Sequence, residues 1–263
     1  MKQNRYFSPG RFARLFRNDL LINQKTYLFT LAGLVIAIYA LLYFSMLTTK
    51  HVGINQYSGF IVFYLVCVGV VIGTAFPALT NQTKTSNYLL APGSTLEKYL
   101  VQFVIRIVIF IPIALLIFWI SAHLAKASLV PDPNIGFNPQ VSITDFSFQS
   151  LFNLLYYKDI TPTLLGIFSV YAFLFAGSVF FNRFPLPKTL ILAGVIVGAV
   201  VLSFVLFSHL IFPAETNGFK IHLNIYKITS DTDNMKLFLY FLSCLSWLFF
   251  LLFGYFKLKE KEV

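Results

Sequence analysis

The acidic residues and histidines, which could carry acid–base or metal chemistry, lie outside the long apolar stretches of this 263-residue chain or at their ends. The ten aspartates and glutamates fall in loops or flanks, and the four histidines lie at or beyond one end of those stretches. The motifs of zinc proteases, serine hydrolases and phosphate-binding loops do not occur in the sequence. Because proton carriers and intramembrane enzymes place ionisable groups within the apolar region, we expect no catalytic site, no metal site and no resident cofactor.

Ser94 and Glu97 have the spacing of a capping box, in which two side chains satisfy backbone N–H groups at the start of a helix. The preceding Pro92-Gly93 pair predicts a turn. Before that turn, residues 81–88 are mostly polar, and the apolar group Tyr88-Leu89-Leu90 ends a short predicted surface helix. We therefore expect an ordered hairpin at residues 77–100, here named the tip, with a new helix that begins at Ser94.

Composition identifies the broad class of protein. Hydrophobic residues make up 57% of the chain and charged residues 11%, whereas soluble domains carry roughly 25% charged residues. We therefore predict an all-α polytopic integral membrane protein whose six transmembrane helices each approach the ~20 residues needed to cross the hydrocarbon layer. The predicted spans, which make up a transmembrane domain over residues 28–263, are 28–47, 59–79, 100–123, 163–182, 189–212 and 237–256.

Several local features refine these spans. Pro112 predicts a kink in the third span, and residues 182–188 predict a turn between the fourth and fifth. Arg106, the only charge within a span, is expected to extend its side chain to the nearby membrane surface. Small residues in the fifth span would allow another helix to approach closely, and they are Ala193, Gly194, Gly198 and Ala199.

The N-terminal segment, residues 1–27, has the pattern of an interfacial amphipathic helix. Phe12, Leu15 and Phe16 share one face, which we expect to lie in the lipid. Arg11, Arg14 and Arg17 share the opposite face, which we expect to meet water and lipid phosphates. Asp19 lies on the apolar flank, and its expected partner is a nearby arginine or lysine.

Basic residues predict the orientation of the chain in the membrane. With six spans, thirteen lysines and arginines fall on the side of the two termini and the tip, and six fall on the other side. The positive-inside rule therefore places both termini and the tip in the cytoplasm. The formal net charge of +10 reflects this distribution, so we predict no nucleic-acid partner. On the outer side we expect a second interfacial helix within 146–157 and a short strand within 213–236.

This arrangement resembles the permease subunit of an ABC transporter, of the exporter-type (type-2) class and its Bacteroidetes-like members. The likeness depends on Leu89–Leu100, where a leucine–proline–small–serine turn leads into Leu96-Glu97-Lys98 and the third helix. The N-terminal helix and the order of the spans are also similar. The outer segment 213–236 departs from the family pattern, because the family often has paired re-entrant helices there.

The resemblance implies an ATP-driven exporter of the bacterial inner membrane, without an ATPase or catalytic site of its own. A separate ATP-binding subunit would bind ATP and Mg, and a second permease copy or a paralogue would complete a dimer. The basic helix at Arg11, Arg14 and Arg17 would flank the contact with the ATP-binding subunit. The tip residues implied in that contact are Lys84, Tyr88, Leu89, Leu90, Pro92, Gly93, Ser94, Glu97 and Lys98.

Two other functions remain open from the sequence. A non-transporting scaffold could recruit soluble proteins to the membrane through its basic N-terminal segment. A membrane enzyme that acts on lipid is the other alternative, although the spans lack the acids and histidines such an enzyme uses.

Overall fold

The structure is a computed structural model, and it describes residues 7–48, 54–80, 85–86, 88, 90, 92–129, 146–149, 160–181, 184–211 and 234–261. All regular secondary structure within these ranges is helical, as the sequence predicts. The predicted strand lies outside the described residues, except that 234–236 begin the last helix. The predicted outer interfacial helix also lies outside them beyond residue 149.

Seven α-helices, one 3₁₀ turn and one π-helical segment have bounds within the described ranges, and residues 85–86, 88, 90 and 148–149 are helical as well. Helix α3, a π-helical segment and α4 are consecutive and form one long helix. The bounds are α1 Pro9–Thr48, α2 Ile54–Ile72, a 3₁₀ turn Pro77–Thr80, α3 Thr95–Phe103, the π segment Val104–Ile109, α4 Phe110–Leu129, α5 Ile160–Phe180, α6 Pro185–Ile211 and α7 Asn234–Glu260.

Among the described residues, four helices are long and apolar enough to cross a membrane: Pro9–Thr48, Thr95–Ser128, Pro185–Ser203 and Phe241–Glu260. The other two predicted spans fall on α2 and α5. Their described apolar stretches are Gly59–Ile72 and Leu165–Phe180, which are shorter than the ~20 residues of a typical span. The described part of the chain is therefore helical and contains four helices able to span a membrane.

Helix α1 differs from its prediction as a separate interfacial helix that ends near residue 27. It runs without a break for 40 residues, which corresponds to roughly 60 Å at 1.5 Å per residue. No proline or glycine lies between Arg11 and Thr30 to interrupt it. The polar segment and the first predicted span are thus one rigid element.

The π segment explains how the third predicted span accommodates Pro112. The backbone N–H of Phe110 donates to the carbonyl of Ile105, five residues earlier, so the helix is widened just before the proline. Proline lacks an N–H and its ring clashes with the carbonyl four residues before it, which favours such an irregular turn.

The turn between α5 and α6 is shorter than the predicted 182–188. Helix α6 begins at Pro185, because proline at the first helical position lacks only an N–H that would be unpaired anyway. Phe184, directly before it, has φ of 52° and is 75% exposed. Beside the turn, Thr189 of α6 lies so close to Gly177 of α5 that an added Cβ at Gly177 would be 2.9 Å from the Cβ of Thr189.

Tyrosine hydroxyl groups join the helices across the core by donating to backbone carbonyls. A lipid environment offers no competing water, so such pairs satisfy the hydroxyl groups within the protein. The three pairs are Tyr64 with Ala114, Tyr171 with Leu65, and Tyr99 with Leu251, at 2.7–2.9 Å.

The small residues of the fifth predicted span have no close neighbour at two positions. Nothing lies within 4 Å of a Cβ added at Gly194 or Gly198 of α6. Within the described part of the chain, no helix therefore approaches α6 closely at those two glycines.

Candidate functional site at the tip

The predicted capping box is present at the start of α3. The hydroxyl oxygen of Ser94 accepts a hydrogen bond from the N–H of Glu97 at 3.2 Å. The Glu97 carboxylate accepts in return from the N–H of Ser94 at 3.0 Å, and Ser94 has the extended backbone of an N-cap residue. The helix therefore begins where the sequence predicts it, immediately after the Pro92-Gly93 turn.

Glu97 also holds the beginning of α1, a contact that the sequence did not predict. Its second carboxylate oxygen accepts from the backbone N–H of Ser8 at 2.6 Å and lies 3.2 Å from a guanidinium nitrogen of Arg11. The Glu97 side chain is completely buried. One carboxylate thus stabilises two helix N-termini, where unpaired N–H groups and the helix dipole favour negative charge.

The three arginines of α1 do not share one environment, which corrects the prediction that all three face water and lipid. Arg11 turns inward to Glu97 and is 35% exposed. Arg14 and Arg17 are exposed. The reason is position, because Arg11 lies in the first turn of α1, beside the buried carboxylate, and the other two lie beyond it.

Leu15 of α1 packs against the turn of the tip. An added Cβ at Gly93 would lie 2.6 Å from Cδ1 of Leu15, so a side chain here would displace Leu15. The φ of Gly93 lies outside the left-handed region, so the turn does not depend on a left-handed glycine. The apolar face that was expected to lie in lipid therefore contacts the tip, at least at Leu15.

Tyr88 and Lys98 face each other inside the tip. The Tyr88 hydroxyl donates to the carbonyl of Lys98 at 3.5 Å, and the Lys98 ammonium lies 5.9 Å from the centre of the Tyr88 ring. The Tyr88 ring also meets Phe76 edge-on at 6.5 Å. Lys98 is 3% exposed. In this conformation both Lys98 and Glu97 are oriented to the interior, so neither is placed to touch a partner.

The exposed described residues of the tip are Pro77, Thr80, Ser86, Leu90 and Pro92, and Leu90 is the one large apolar side chain among them. Leu90 is 81% exposed and Pro92 is exposed, whereas Gly93 and Ser94 are partly buried. Lys84 and Leu89, two further predicted contact residues, lie outside the described residues. Of the predicted contact set, Leu90 and Pro92 are the described members whose side chains are free to meet another surface.

Aromatic rings pack around Tyr99, where the tip continues into α3. Tyr99 stacks on Phe76 at 6.2 Å and meets Phe175 and Tyr255 edge-on at 5.3 and 5.9 Å. Its hydroxyl donates to the carbonyl of Leu251 in α7. The beginning of α3 is therefore packed against α5 and α7 as well as α1, which makes the tip continuous with the helical core.

No family model matches this chain, and no match is found among curated proteins or solved structures. The function proposed below therefore depends on the geometry of the site.

A second polar cluster lies along the contact between α1 and α3. Asp19 accepts three hydrogen bonds from neutral groups, in place of the basic partner that the sequence suggested. The donors are Asn23 at 3.1 Å, Tyr27 at 2.7 Å and Gln102 at 2.8 Å. This arrangement satisfies a carboxylate at the helix–helix contact without a direct ion pair.

Arg106 completes this cluster, which corrects the prediction that it extends to the membrane surface. It is 3% exposed, and its guanidinium lies 4.9 Å from the centre of the Tyr27 ring. Its positive charge also interacts favourably with Asp19. Burial against α1 keeps the arginine away from the surface, because Tyr27 and Asp19 offer it a ring face and a negative charge.

The spacing of polar residues in the sequence is a signal for this cluster. Lys98, Gln102 and Arg106 are spaced four residues apart in an otherwise apolar stretch and so lie on one side of a helix. Asp19, Asn23 and Tyr27 have the same spacing. Two polar rows with matching period predict a helix pair, although the sequence does not identify which helices pair.

Neither metal chemistry nor thiol chemistry is indicated by the described residues. No group of three or more histidine, cysteine, aspartate or glutamate side chains in the described ranges could hold a metal ion. Cys67 and Cys244 are both free thiols.

An apolar cavity of about 630 Å³ lies between α2, α5 and α6, lined by residues such as Val66, Tyr171 and Ile196.

Proposed function

We propose that this chain is the permease subunit of an ATP-driven ABC exporter in the bacterial inner membrane. In this proposal six helices cross the membrane, both termini lie in the cytoplasm, and a separate subunit binds ATP and Mg. A second permease copy or a paralogue completes the transport path. The observation that supports the proposal most is the tip, which is fixed to two long helices through Glu97 and exposes Leu90 at its outer surface.

A coupling element must transmit a movement of the ATP-binding subunit without absorbing it. The tip meets this requirement, because Glu97 joins it to the first residues of both α1 and α3. Leu15 packs on the Pro92-Gly93 turn, and Tyr99 connects the same region to α7. A displacement at Leu90 would therefore move α1 and α3 together.

The test is retention of the ATP-binding subunit during purification of the chain from its native cells. Leu90→Asp should abolish retention at unchanged membrane expression, because it places a charge on the exposed apolar contact. Pro92-Gly93→Ala-Ala should also abolish it by changing the direction of the tip, because it frees the fixed φ of residue 92 and adds a Cβ at residue 93 against Leu15. Tyr88→Ala should weaken it, because Tyr88 is part of the packing that holds the tip.

Phe184→Asn is the matched control. Phe184 is also highly exposed, it lies in a turn on the same predicted side, and asparagine tolerates its positive φ. Full retention by Phe184→Asn together with loss in Leu90→Asp would support the tip as the contact. Undiminished retention in Leu90→Asp, or equal loss in both variants, would overturn the assignment.

A membrane scaffold is the second candidate, and the exposure of Arg14 and Arg17 favours it. A scaffold would also retain soluble proteins, so the identity of the retained protein decides between the two. An ATP-binding subunit carries a phosphate-binding loop, G-x-x-x-x-G-K followed by serine or threonine, that mass identification would reveal. Retained proteins without such a loop would favour the scaffold.

A further inference from the structure

Helix α1 presents a continuous outward stripe that combines positive charge and apolar surface. Arg14, Arg17 and Lys25 are exposed, and so are Leu21 and Leu28, which are 56% and 66% exposed. These positions are three or four residues apart, so they follow one side of the helix. The opposite side carries Asp19 and Tyr27, which pack toward α3.

The charges on this stripe are not neutralised from within α1. Asp19, the one acidic residue of α1, accepts hydrogen bonds from Asn23, Tyr27 and Gln102 on the packed side. Arg11 is engaged by Glu97 and so does not belong to the stripe. The stripe therefore carries three positively charged side chains, and exposed leucines lie between them.

We propose that this stripe binds anionic phospholipid, with Arg14 and Arg17 on the headgroup phosphate and Leu21 and Leu28 against an acyl chain. Guanidinium groups match phosphate geometry, and one lipid supplies both the anion and the apolar cover. An acidic peptide would pair with the arginines but would leave the leucines exposed. The membrane is also continuous with this surface, because α1 becomes an apolar helix able to span it.

Lys25 extends the site along the helix. It lies roughly 12 Å beyond Arg17 along the axis, at eight residues of about 1.5 Å each. A lysine side chain can lie along apolar surface and return its ammonium to the headgroup layer. After Thr26, the next exposed residues of α1 are the apolar Leu28 and Phe29. Lys25 therefore marks the boundary between headgroups and hydrocarbon on α1.

The site can be tested without any ATP-binding subunit, so its outcome is separate from that of the proposed transport function. The purified chain would be titrated with phosphatidylglycerol and, in a second arm, phosphatidylcholine, and bound lipid would be counted by native mass spectrometry. We expect a preference for phosphatidylglycerol that falls about fivefold for each arginine lost in Arg14→Gln and Arg17→Gln at low salt. Lys25→Gln should have a smaller effect, and Arg14→Lys with Arg17→Lys should lose less than the glutamine variants, because it keeps the charge but not the bidentate guanidinium geometry.

The matched control is Lys188→Gln with Lys259→Gln, which removes two exposed positive charges from other helices. Unchanged lipid preference in this control, with loss in the arginine double variant, would support the site. Equal loss in both double variants would show a general charge effect and overturn it. Displacement of the bound lipid by inorganic phosphate would assign the site to free anions instead of lipid. Unchanged preference in the arginine variant would also overturn the proposal.

Discussion

The carboxylate of Glu97 accepts a hydrogen bond from the backbone N–H of Ser8 across 89 residues of sequence, at 2.6 Å. The same carboxylate caps its own helix through Ser94. The two helices that begin here, α1 and α3, both continue into apolar stretches able to cross a membrane. A single buried charge therefore sets the relative position of two long helices at their shared end.

Glu97→Ala should release the beginning of α1 from the tip. It removes two hydrogen bonds from backbone N–H groups and the partner of Arg11, so we expect a loss of about 2–4 kcal/mol in stability. Trypsin should then cleave faster at Arg14 and Arg17, and the melting temperature in detergent should fall. Glu260→Ala is the control, because its exposed pair with Lys257 contributes little. Equal trypsin rates in the two variants would contradict the role assigned to Glu97.

Ser94→Ala should cost roughly 0.5–2 kcal/mol, because it removes the side-chain acceptor for the N–H of Glu97. The effect should be confined to the start of α3, so protease sensitivity of residues 80–98 should rise while the spans stay folded. Combining Ser94→Ala with Glu97→Ala should give less than the sum of the two single losses, because both belong to one capping box. Strict additivity would show that the two side chains act independently.

Arg106→Leu should destabilise the chain by roughly 2–3 kcal/mol, because Asp19 then loses the nearby positive charge in a poorly hydrated contact. Adding Asp19→Asn should recover part of this loss by removing the remaining charge. Tyr27→Phe, which keeps the ring beneath the guanidinium, should cost only about 1 kcal/mol for the lost hydrogen bond. Thermal unfolding in one detergent would measure all three, and no recovery in the double variant would argue against charge coupling.

Gly177→Ala should force α5 and α6 apart, because the new methyl group would lie 2.9 Å from the Cβ of the buried Thr189. We expect a loss of about 1–3 kcal/mol, the usual cost of overpacking, and a partial return of stability when Thr189→Ala is added. Gly33→Ala is the matched control, because nothing lies within 4 Å of its added Cβ. That control should be neutral or slightly stabilising, since alanine favours a helix. A similar loss in both alanine variants would rule out the steric explanation.

Labelling with a membrane-impermeant thiol reagent would test the proposed topology. After replacement of Cys67 and Cys244, a single cysteine at position 158 should be labelled in intact cells, and one at position 84 only after permeabilisation. The basic asymmetry of the flanks is the physical reason. The reverse pattern would invert the orientation and place the tip on the wrong side for a cytoplasmic ATP-binding subunit.

Local patterns in the sequence were sufficient for features that depend on neighbouring residues. The beginning of α3 was predicted because Ser94 and Glu97 satisfy each other's backbone groups within four residues of chain. The helical class and the apolar stretches followed from composition, because a lipid-exposed backbone must satisfy its own hydrogen bonds. Element boundaries differed from their predictions: α1 continued past residue 27 and α6 began early, at Pro185, since helix ends depend on packing as well as on propensity.

Tertiary structure decided every contact between distant residues. The sequence showed that Glu97 was an acid in a capping box, but not that its second oxygen would hold Ser8 and Arg11. It showed that Arg106 was a lone charge in a span, but not that Tyr27 of another helix would cover it. A capping motif is specified by spacing along the chain, whereas the partner of a buried charge depends on which helices pack together. Polar rows of the same period are compatible with several pairings of helices. The spacing alone therefore does not identify the partner helix.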